Sequence, residues 1–200
     1  MKPAEPTQRQ APPARQHQMA LFARNFFKHP KMLGSIIPSS RFLVRRMLNH
    51  IDWQRTRVLV EYGPGVGTFT REILRQMPAD AALIVIETNE DFVDYIQRVY
   101  PDPRMQVVHG SAADIEQILA ERDLGQVDYV IAGIPFSTLP GHVGESILNA
   151  TRKVISPAGT FLLYQFSPRL LPTLHRTFSK VSREFEPINF LPAHFYRCKP

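Results

Sequence analysis

Short apolar runs alternate with amphipathic segments along most of the chain. The runs place valine, isoleucine and leucine at neighbouring positions, which is typical of strands covered on both faces of a sheet. They predict five strands, at residues 57–62, 82–87, 105–109, 127–133 and 160–166. The segments between them have apolar residues at helical spacing and predict helices at about 68–77, 89–99, 114–121 and 141–155. Strands that alternate with helices indicate an α/β fold with a mainly parallel sheet.

The start of the chain has a different pattern. Its first residues are polar and rich in proline, so we expect a disordered basic tail there. Apolar residues then recur at helical spacing, which predicts one helix over 19–31 and a second from the Pro38-Ser39-Ser40 cluster to Leu48. The expected parts are the tail, an N-terminal helical segment and an α/β domain, at 1–17, 18–50 and 51–200.

The last part of the chain continues the alternation. Ser167 and Pro168 supply an N-cap and a proline at the first helical position, and they open a predicted helix over 168–182. That helix has one apolar face, which suits either a membrane surface or packing on the sheet. Two strand-like pieces follow, near 186–190 and 193–198.

Charge is distributed unevenly along the chain. The net formal charge is +8 over residues 1–55, −6 over 56–164 and +4 over 165–200. Two basic ends indicate contact with an anionic partner, either nucleic acid or a lipid surface, although a solvated basic surface would look the same. No apolar run is long enough for a membrane span or a signal peptide, so we expect a soluble or peripheral protein. The single cysteine, Cys198, excludes an internal disulfide and fits a reducing compartment.

The stretch VLVEYGPGVGTFT, residues 58–70, places three glycines after the first of these five strands. Ligands of open α/β folds bind outside the carboxyl ends of the strands, and glycine lets the backbone approach a ligand closely. A nucleotide is the leading interpretation, and a turn without a ligand is the alternative. The third glycine comes one residue too early for a dinucleotide fingerprint. The Gly-Lys-Ser/Thr ending of a phosphate loop is absent.

Two acids narrow the choice of nucleotide. Glu61, two residues before the first glycine, would repel a pyrophosphate but suits a cation or a polar amino-acid group. Glu87 ends the second strand, where an acid in related folds binds the hydroxyls of a ribose. Adenosine without phosphate and with a cationic amino-acid end describes S-adenosyl-L-methionine, whose product after methyl transfer is S-adenosyl-L-homocysteine. We predict no metal site.

With these motifs the chain resembles the class I methyltransferases. The resemblance implies a Rossmann-like, seven-stranded, mostly parallel sheet with helices on both faces and an antiparallel last strand. It implies a cofactor site formed by Glu61, Tyr62, Gly63, Gly65, Gly67, Glu87, Thr88, Gly110, Ser111, Ala112, Gly133 and Ile134. The chain departs from the pattern after Gly110, because related enzymes often have an aspartate where Ser111 stands, and Asp114 comes three residues later.

The stretch Ala132-Gly133-Ile134-Pro135-Phe136 follows the fourth strand, where amino-methyltransferases keep the motif that binds the target. In rRNA adenine dimethyltransferases it looks like Asn-Leu-Pro-Phe/Tyr, with the amide oxygen accepting from the target amine. Gly133 replaces that asparagine. A nucleobase amine is a poor nucleophile and needs the acceptor more than an alkylamine does, so Gly133 favours an alkylamine. Phe136 is either a cation–π partner of a methylated ammonium or a core aromatic.

The wider sequence is similar to bacterial phospholipid N-methyltransferases, which convert phosphatidylethanolamine toward phosphatidylcholine. The likeness runs from about Phe22 to the C-terminus. It is carried by four stretches, Pro38–Phe42, Gly133–Phe136, Tyr164–Pro168 and Leu191–Arg197. It implies phosphatidylethanolamine as substrate, an anionic phospholipid membrane as partner, no nucleic acid, and a monomer in the cytoplasm, peripheral on the inner face of the bacterial cytoplasmic membrane. The expected membrane and substrate contacts are Phe22, Phe26, Phe27, Lys28, Ser39, Ser40 and Arg169.

The expected catalytic residues are Gly133, Phe136 and Tyr164, with Gly133 and Ile134 lining the amine site. Methyl transfer to an amine needs position and a deprotonated nitrogen rather than a nucleophile from the protein. Tyr164 and His194 are candidate bases at predicted strand ends, although a lone tyrosine or histidine at such a place is more often structural. An rRNA or DNA adenine methyltransferase is the rival enzyme. A membrane-surface protein that binds the cofactor without turnover is the rival that is not an enzyme.

Overall fold

The computed structural model describes residues 40–187 and 192–200. The predicted helix over 19–31 and the contacts expected at Phe22, Phe26, Phe27, Lys28 and Ser39 lie outside these residues. Six α-helices are described, α1 Arg41–Leu48, α2 Thr68–Gln76, α3 Glu90–Val99, α4 Ile115–Ala120, α5 Gly141–Val154 and α6 Leu171–Thr177. The strands are β1 Val58–Tyr62, β2 Ala82–Glu87, β3 Met105–His109, β4 Val127–Ala132, β5 Ile155–Gln165, β6 Lys180–Glu186 and β7 Ala193–Lys199.

The strands form one seven-stranded sheet in the order β3-β2-β1-β4-β5-β7-β6. Pairings among β1 to β5 are all parallel, and β7 is antiparallel to both β5 and β6. The strand order reverses between β1 and β4, the point at which open α/β sheets bind ligands outside the carboxyl ends of the strands. This arrangement confirms the predicted Rossmann-like fold and its antiparallel last strand.

Helices cover both faces of the sheet. On one face α4, α5 and α6 close a cluster with the side chains of β4 and β5, among them Val130 and Phe161. On the other face α1 and α2 pack on Leu59, Leu162 and Phe195, and α3 joins the same face through Ile96. No helix of the described residues is long and apolar enough to cross a membrane.

Helix α1 belongs to the core of the α/β unit. The Ser40 hydroxyl accepts a hydrogen bond of 3.2 Å from the Leu43 amide, which caps the helix as the serine cluster predicted. Leu43 and Met47 are fully buried against the sheet. The packed unit therefore includes residues on both sides of the boundary expected at residue 50.

The predicted helix over 168–182 is wrong in its second half. Residues 168–170 form a 3₁₀ turn, α6 ends at Thr177, and the chain becomes extended at Phe178. Edge strand β6 then occupies 180–186, so the strand predicted near 186–190 begins six residues earlier. Pairing with β7 overrides a helical spacing of apolar residues that continues through Val181. Leu174 is fully buried in the core, so α6 packs on the sheet.

Candidate functional site

The glycine loop joins β1 to α2 and depends on left-handed backbone. Gly63, Gly65 and Gly67 have φ of 64°, 54° and 75°, a region that other residues rarely adopt. A Cβ at Gly67 would also lie 2.7 Å from the Ile96 side chain, and at Gly63 it would touch Ile134 at 3.4 Å. The loop is thus a close-fitting turn at the carboxyl end of β1, and only bare backbone fits it.

Glu61 is the next-to-last residue of β1. Its side chain faces α2 and is only 2% exposed. Its carboxylate accepts a hydrogen bond of 2.7 Å from the Thr70 hydroxyl on α2. Burial raises the pKa of Glu61 to about 8, and this rise is opposed by the Thr70 hydrogen bonds and reinforced by the charge of Glu87. Thr70 ends the quoted glycine stretch, but sequence reasoning gave it no role.

Glu87 ends β2 beside the loop and is 6% exposed. One carboxylate oxygen accepts from the backbone amides of Thr88 and Asn89 at 2.8 and 3.0 Å, and the other faces the Gly65 amide at 3.4 Å. Burial raises the pKa of Glu87 as well. Among the described residues neither Glu61 nor Glu87 is paired with a lysine or arginine. Two enclosed acids without a basic partner favour a cationic, hydroxyl-bearing ligand.

The carboxyl end of β3 is followed by a turn and has no acidic residue like those of β1 and β2. The Gly110 amide donates to the Glu87 carbonyl at 3.0 Å, which ties this turn to β2. The Ser111 hydroxyl accepts from the Ala113 amide and caps a short 3₁₀ helix in which Ala112 is buried. Ser111 therefore has a structural role at the position where the family's aspartate is absent.

Two predicted cofactor residues contribute differently from expectation. The Tyr62 side chain is fully buried on the opposite face, with its hydroxyl 3.1 Å from the Thr151 hydroxyl, so only its backbone borders the site. Successive strand residues point to opposite faces, and Glu61 takes the face that meets α2. Thr88 is exposed at the rim, where its carbonyl lies 3.1 Å from the His109 imidazole.

The loop expected to bind the amine follows β4, and it is packed directly on the glycine loop. The Gly133 amide donates to the Tyr62 carbonyl at 2.9 Å. A Cβ at Gly133 would lie 2.9 Å from the Gly63 carbonyl oxygen and 3.6 Å from the Tyr164 hydroxyl. Any larger side chain there would have to displace backbone, so this chain has no room for the asparagine of the adenine enzymes. The Tyr164 hydroxyl lies on the side to which that asparagine would point.

Tyr164 forms an aromatic wall beside this loop. Its ring is 7% exposed, stacks on Phe69 at 6.0 Å between centroids and meets Phe166 edge-on at 5.8 Å. Phe136 is 5% exposed and packs in the core cluster next to α5, which favours its role as a core aromatic over a cation–π contact.

The remaining predicted residues lie apart from the loop. The His194 imidazole accepts a hydrogen bond of 3.3 Å from Arg183 on β6, and burial and then Arg183 lower the pKa of His194. Ser40 caps α1, and Arg169 is exposed after β5.

Sequence reasoning assigned no role to Gln165, the last residue of β5. It is only 4% exposed, and its side-chain amide donates to the Ile134 carbonyl at 2.8 Å. The polar residue at a strand end was the available signal, but its contact with a loop 31 residues away is set by tertiary structure.

Comparisons with known proteins identify relatives of this chain. The model of the ribosomal RNA adenine dimethylase family matches residues 26–166. An ornithine lipid N-methyltransferase from Singulisphaera acidiphila is 33% identical over 181 residues, which are 90% of this chain and 94% of that one. A ribosomal RNA small subunit methyltransferase A from Mycoplasma mycoides subsp. mycoides is 22% identical and aligns with 64% of this chain but only 45% of its own length.

A solved structure shares the fold. The N-methyltransferase NodS from Bradyrhizobium japonicum, in complex with S-adenosyl-L-homocysteine, has a TM-score of 0.61 at 11% identity and covers 79% of this chain and 84% of its own. The left-handed glycine loop and the two enclosed acids at the ends of β1 and β2 fit S-adenosyl-L-methionine. The chain belongs to the ribosomal RNA adenine dimethylase family, and it is an S-adenosyl-L-methionine-dependent methyltransferase.

Proposed function

We propose that the protein N-methylates the amine of a membrane-lipid head group, of the phosphatidylethanolamine or ornithine lipid type. The observation that carries the proposal is Gly133, which is packed against the Gly63 carbonyl and leaves no room for the amide that an adenine amine requires. The 33% identity to an ornithine lipid N-methyltransferase over 90% of the chain supports the same substrate class.

The chain's residues hold the reactants in place. When bound, S-adenosyl-L-methionine supplies a methyl group whose bond to sulfur breaks as the amine nitrogen attacks, leaving the electron pair on sulfur. Glu61 would hold the cationic amino-acid end and Glu87 the ribose. The amine nitrogen loses one proton before it attacks, either to water or, in a phospholipid, to the head-group phosphate. Tyr164 would form the wall of the amine site, and position accounts for the catalysis.

The exposed surface supports action at a membrane. Phe42 and Phe185 are 48% and 50% exposed, the large apolar side chains most open to solvent among those described. Arg46 lies one turn after Phe42 and donates to the Phe185 carbonyl at 3.3 Å, so both aromatics lie near the end of edge strand β6. Phe42 is on the face that α1 covers, and strand alternation turns Phe185 to the other face. Exposed Arg41 and Arg45 accompany Phe42 on α1, and exposed Arg183 shares the face of Phe185. Aromatic and basic side chains together suit an anionic bilayer. We call this set the α1–β6 surface.

One assay tests the proposal. Radiolabelled S-adenosyl-L-methionine is offered with anionic liposomes containing phosphatidylethanolamine, with liposomes containing ornithine lipid, or with ribosomal RNA. We expect label in one or both lipid fractions. Label in RNA alone would establish the rival adenine methyltransferase, which the family match makes the second candidate. Cofactor binding with no transfer to any acceptor would support the binding protein that is not an enzyme.

A further inference from the structure

Gln165 places a fixed amide at the end of β5, beside the loop that follows β4. Its Nε2 donates to the Ile134 carbonyl at 2.8 Å and to the Tyr164 carbonyl at 2.6 Å. Both amide hydrogens are therefore used. The reversed orientation would press Oε1 against two carbonyl oxygens, so the two contacts determine which atom is nitrogen.

The other end of this amide is open. No N–H or O–H of the described residues donates to Oε1 of Gln165. Enclosed side-chain atoms without a hydrogen-bond partner occur, within residues 40–187 and 192–200, on residues such as Arg122, Tyr196 and Arg197. Oε1 is not among them, so it borders open space although the residue is 4% exposed. Water can satisfy this acceptor in the free protein, and a ligand that displaces the water must supply a donor in its place.

The position of this acceptor matches a need of the site. Ile134, which Gln165 holds, directly follows Gly133, where no side-chain amide fits. We propose that Oε1 of Gln165 accepts a hydrogen bond from the substrate amine, supplying from β5 the amide oxygen that the loop itself lacks. The proposal rests on the N-methyltransferase function above and names a substrate-contacting residue for it. The contact orients the nitrogen so that its lone pair, rather than an N–H, faces the methyl group.

This role depends on the number of N–H bonds in the ligand. An unmethylated head group donates to Oε1 through an N–H, whereas the trimethylated ammonium has no N–H to donate. The contact should therefore strengthen binding of the unmethylated lipid and leave binding of the trimethylated lipid unchanged. A merely structural tether on Ile134 would affect both ligands equally.

The test measures equilibrium binding to the full chain with S-adenosyl-L-homocysteine present. The ligands are short-chain forms of the lipid that the transfer assay identifies, one unmethylated and one trimethylated. Gln165→Met is expected to bind the unmethylated lipid about tenfold to a hundredfold more weakly and the trimethylated lipid as the parent does.

The control is Gln117→Met, which removes an exposed amide on α4 that donates to Glu121 at 2.8 Å. It should bind both lipids like the parent. Equal losses for the two lipids in Gln165→Met would overturn the proposal. The proposal would also be overturned if Tyr164→Phe lost the preference for the unmethylated lipid while Gln165→Met kept it. The acceptor would then be the tyrosine. If the parent transfers no methyl group to lipid, the proposed function itself fails, and the transfer assay detects that separately.

Discussion

At the scale of single residues, the site is organised by two carboxyl groups that folding has removed from water. Glu61 and Glu87 are 2% and 6% exposed, and the described residues give them hydroxyl and amide donors but no basic side chain. Burial raises the pKa of both, because the charged form loses its hydration. In the free protein Glu61 is therefore mostly protonated at neutral pH, and it loses this proton when it binds a cationic ligand.

This burial predicts how stability changes with pH. Because the pKa of Glu61 rises from 4.5 to about 8 on folding, the folded state binds more protons than the unfolded state between those values. The free energy of unfolding of the cofactor-free protein should therefore fall as pH rises from 4.5 toward 8. Urea unfolding across that range is the measurement. Glu61→Gln should flatten the dependence, and an unchanged slope in this variant would contradict the assignment.

The same protonation state should appear in ligand binding. At neutral pH Glu61 must ionise to hold a cation, so binding of S-adenosyl-L-methionine should release most of one proton. Calorimetry in buffers with different ionisation enthalpies measures that number. Glu61→Gln should bind the cofactor at least about tenfold more weakly, since it loses a charge-assisted contact, and should release less of a proton.

At the scale of elements, α1 is fastened to the edge of the sheet. Arg46 donates to Glu184 at 2.9 Å and to Glu186 at 3.1 Å, and Glu184 also accepts from Arg197 on β7 at 3.3 Å. His50 completes the cluster by stacking on Phe195 at 5.3 Å. The Arg46 guanidinium therefore connects the first described helix to β6, and Glu184 extends the cluster to β7.

Removing this guanidinium should loosen α1. We expect Arg46→Met to lower the free energy of unfolding by about 1–2 kcal/mol, because Glu186 is mostly buried and would lose its charged donor while water screens the rest. The midpoint of urea unfolding measures the change. Arg45→Met is the matched control, since Arg45 is exposed on the same helix and should shift stability by less than about 0.5 kcal/mol. Equal midpoints for the two variants would contradict the role of the cluster.

The elements also show what a sequence can and cannot predict. Apolar runs locate the first four strands to within one residue at each end, because strands buried on both faces leave a continuous signal. The helix predicted beyond Thr177 was wrong. Edge strand β6 occupies that region, and its side chains are largely polar, so no apolar run marks it. The glycine loop and both acids were predictable because their chemistry is local. The contact of Gln165 with Ile134 was not, because it joins the end of β5 to the loop after β4, and only the sheet order brings these together.

At the scale of the whole molecule, the β6 part of the α1–β6 surface and the proposed amine site lie at the same end of the sheet, where β5 and β6 have their carboxyl ends. Phe185 pairs with His194, and His194 pairs with Gln165 at the carboxyl end of β5. A bilayer in contact with Phe42 and Phe185 would therefore lie at the edge where methyl transfer is proposed. The net charges of +8 and +4 at the two ends of the chain add attraction for anionic lipid.

Vesicle binding tests this orientation. The double variant Phe42→Ser with Phe185→Ser should bind anionic vesicles about tenfold more weakly, because two interfacial aromatics are lost. Arg45→Gln should weaken binding and reduce its dependence on salt. Arg98→Gln on α3 is the charge-matched control and should behave as the parent. Sedimentation with vesicles measures all of these, and equal effects of the two arginine variants would argue against a membrane-facing α1.

The position of β7 between β5 and β6 has a consequence for the chain's single cysteine. Cys198 is fully buried there, and burial raises the pKa of its thiol to about 12. It pairs with Phe161 on one side and Val181 on the other. Its side chain lies in the cluster beneath α6, so an alkylating reagent can reach it only when the packing around β7 opens. The rate of thiol alkylation therefore reports that opening, and it falls when a bound ligand stabilises the folded state.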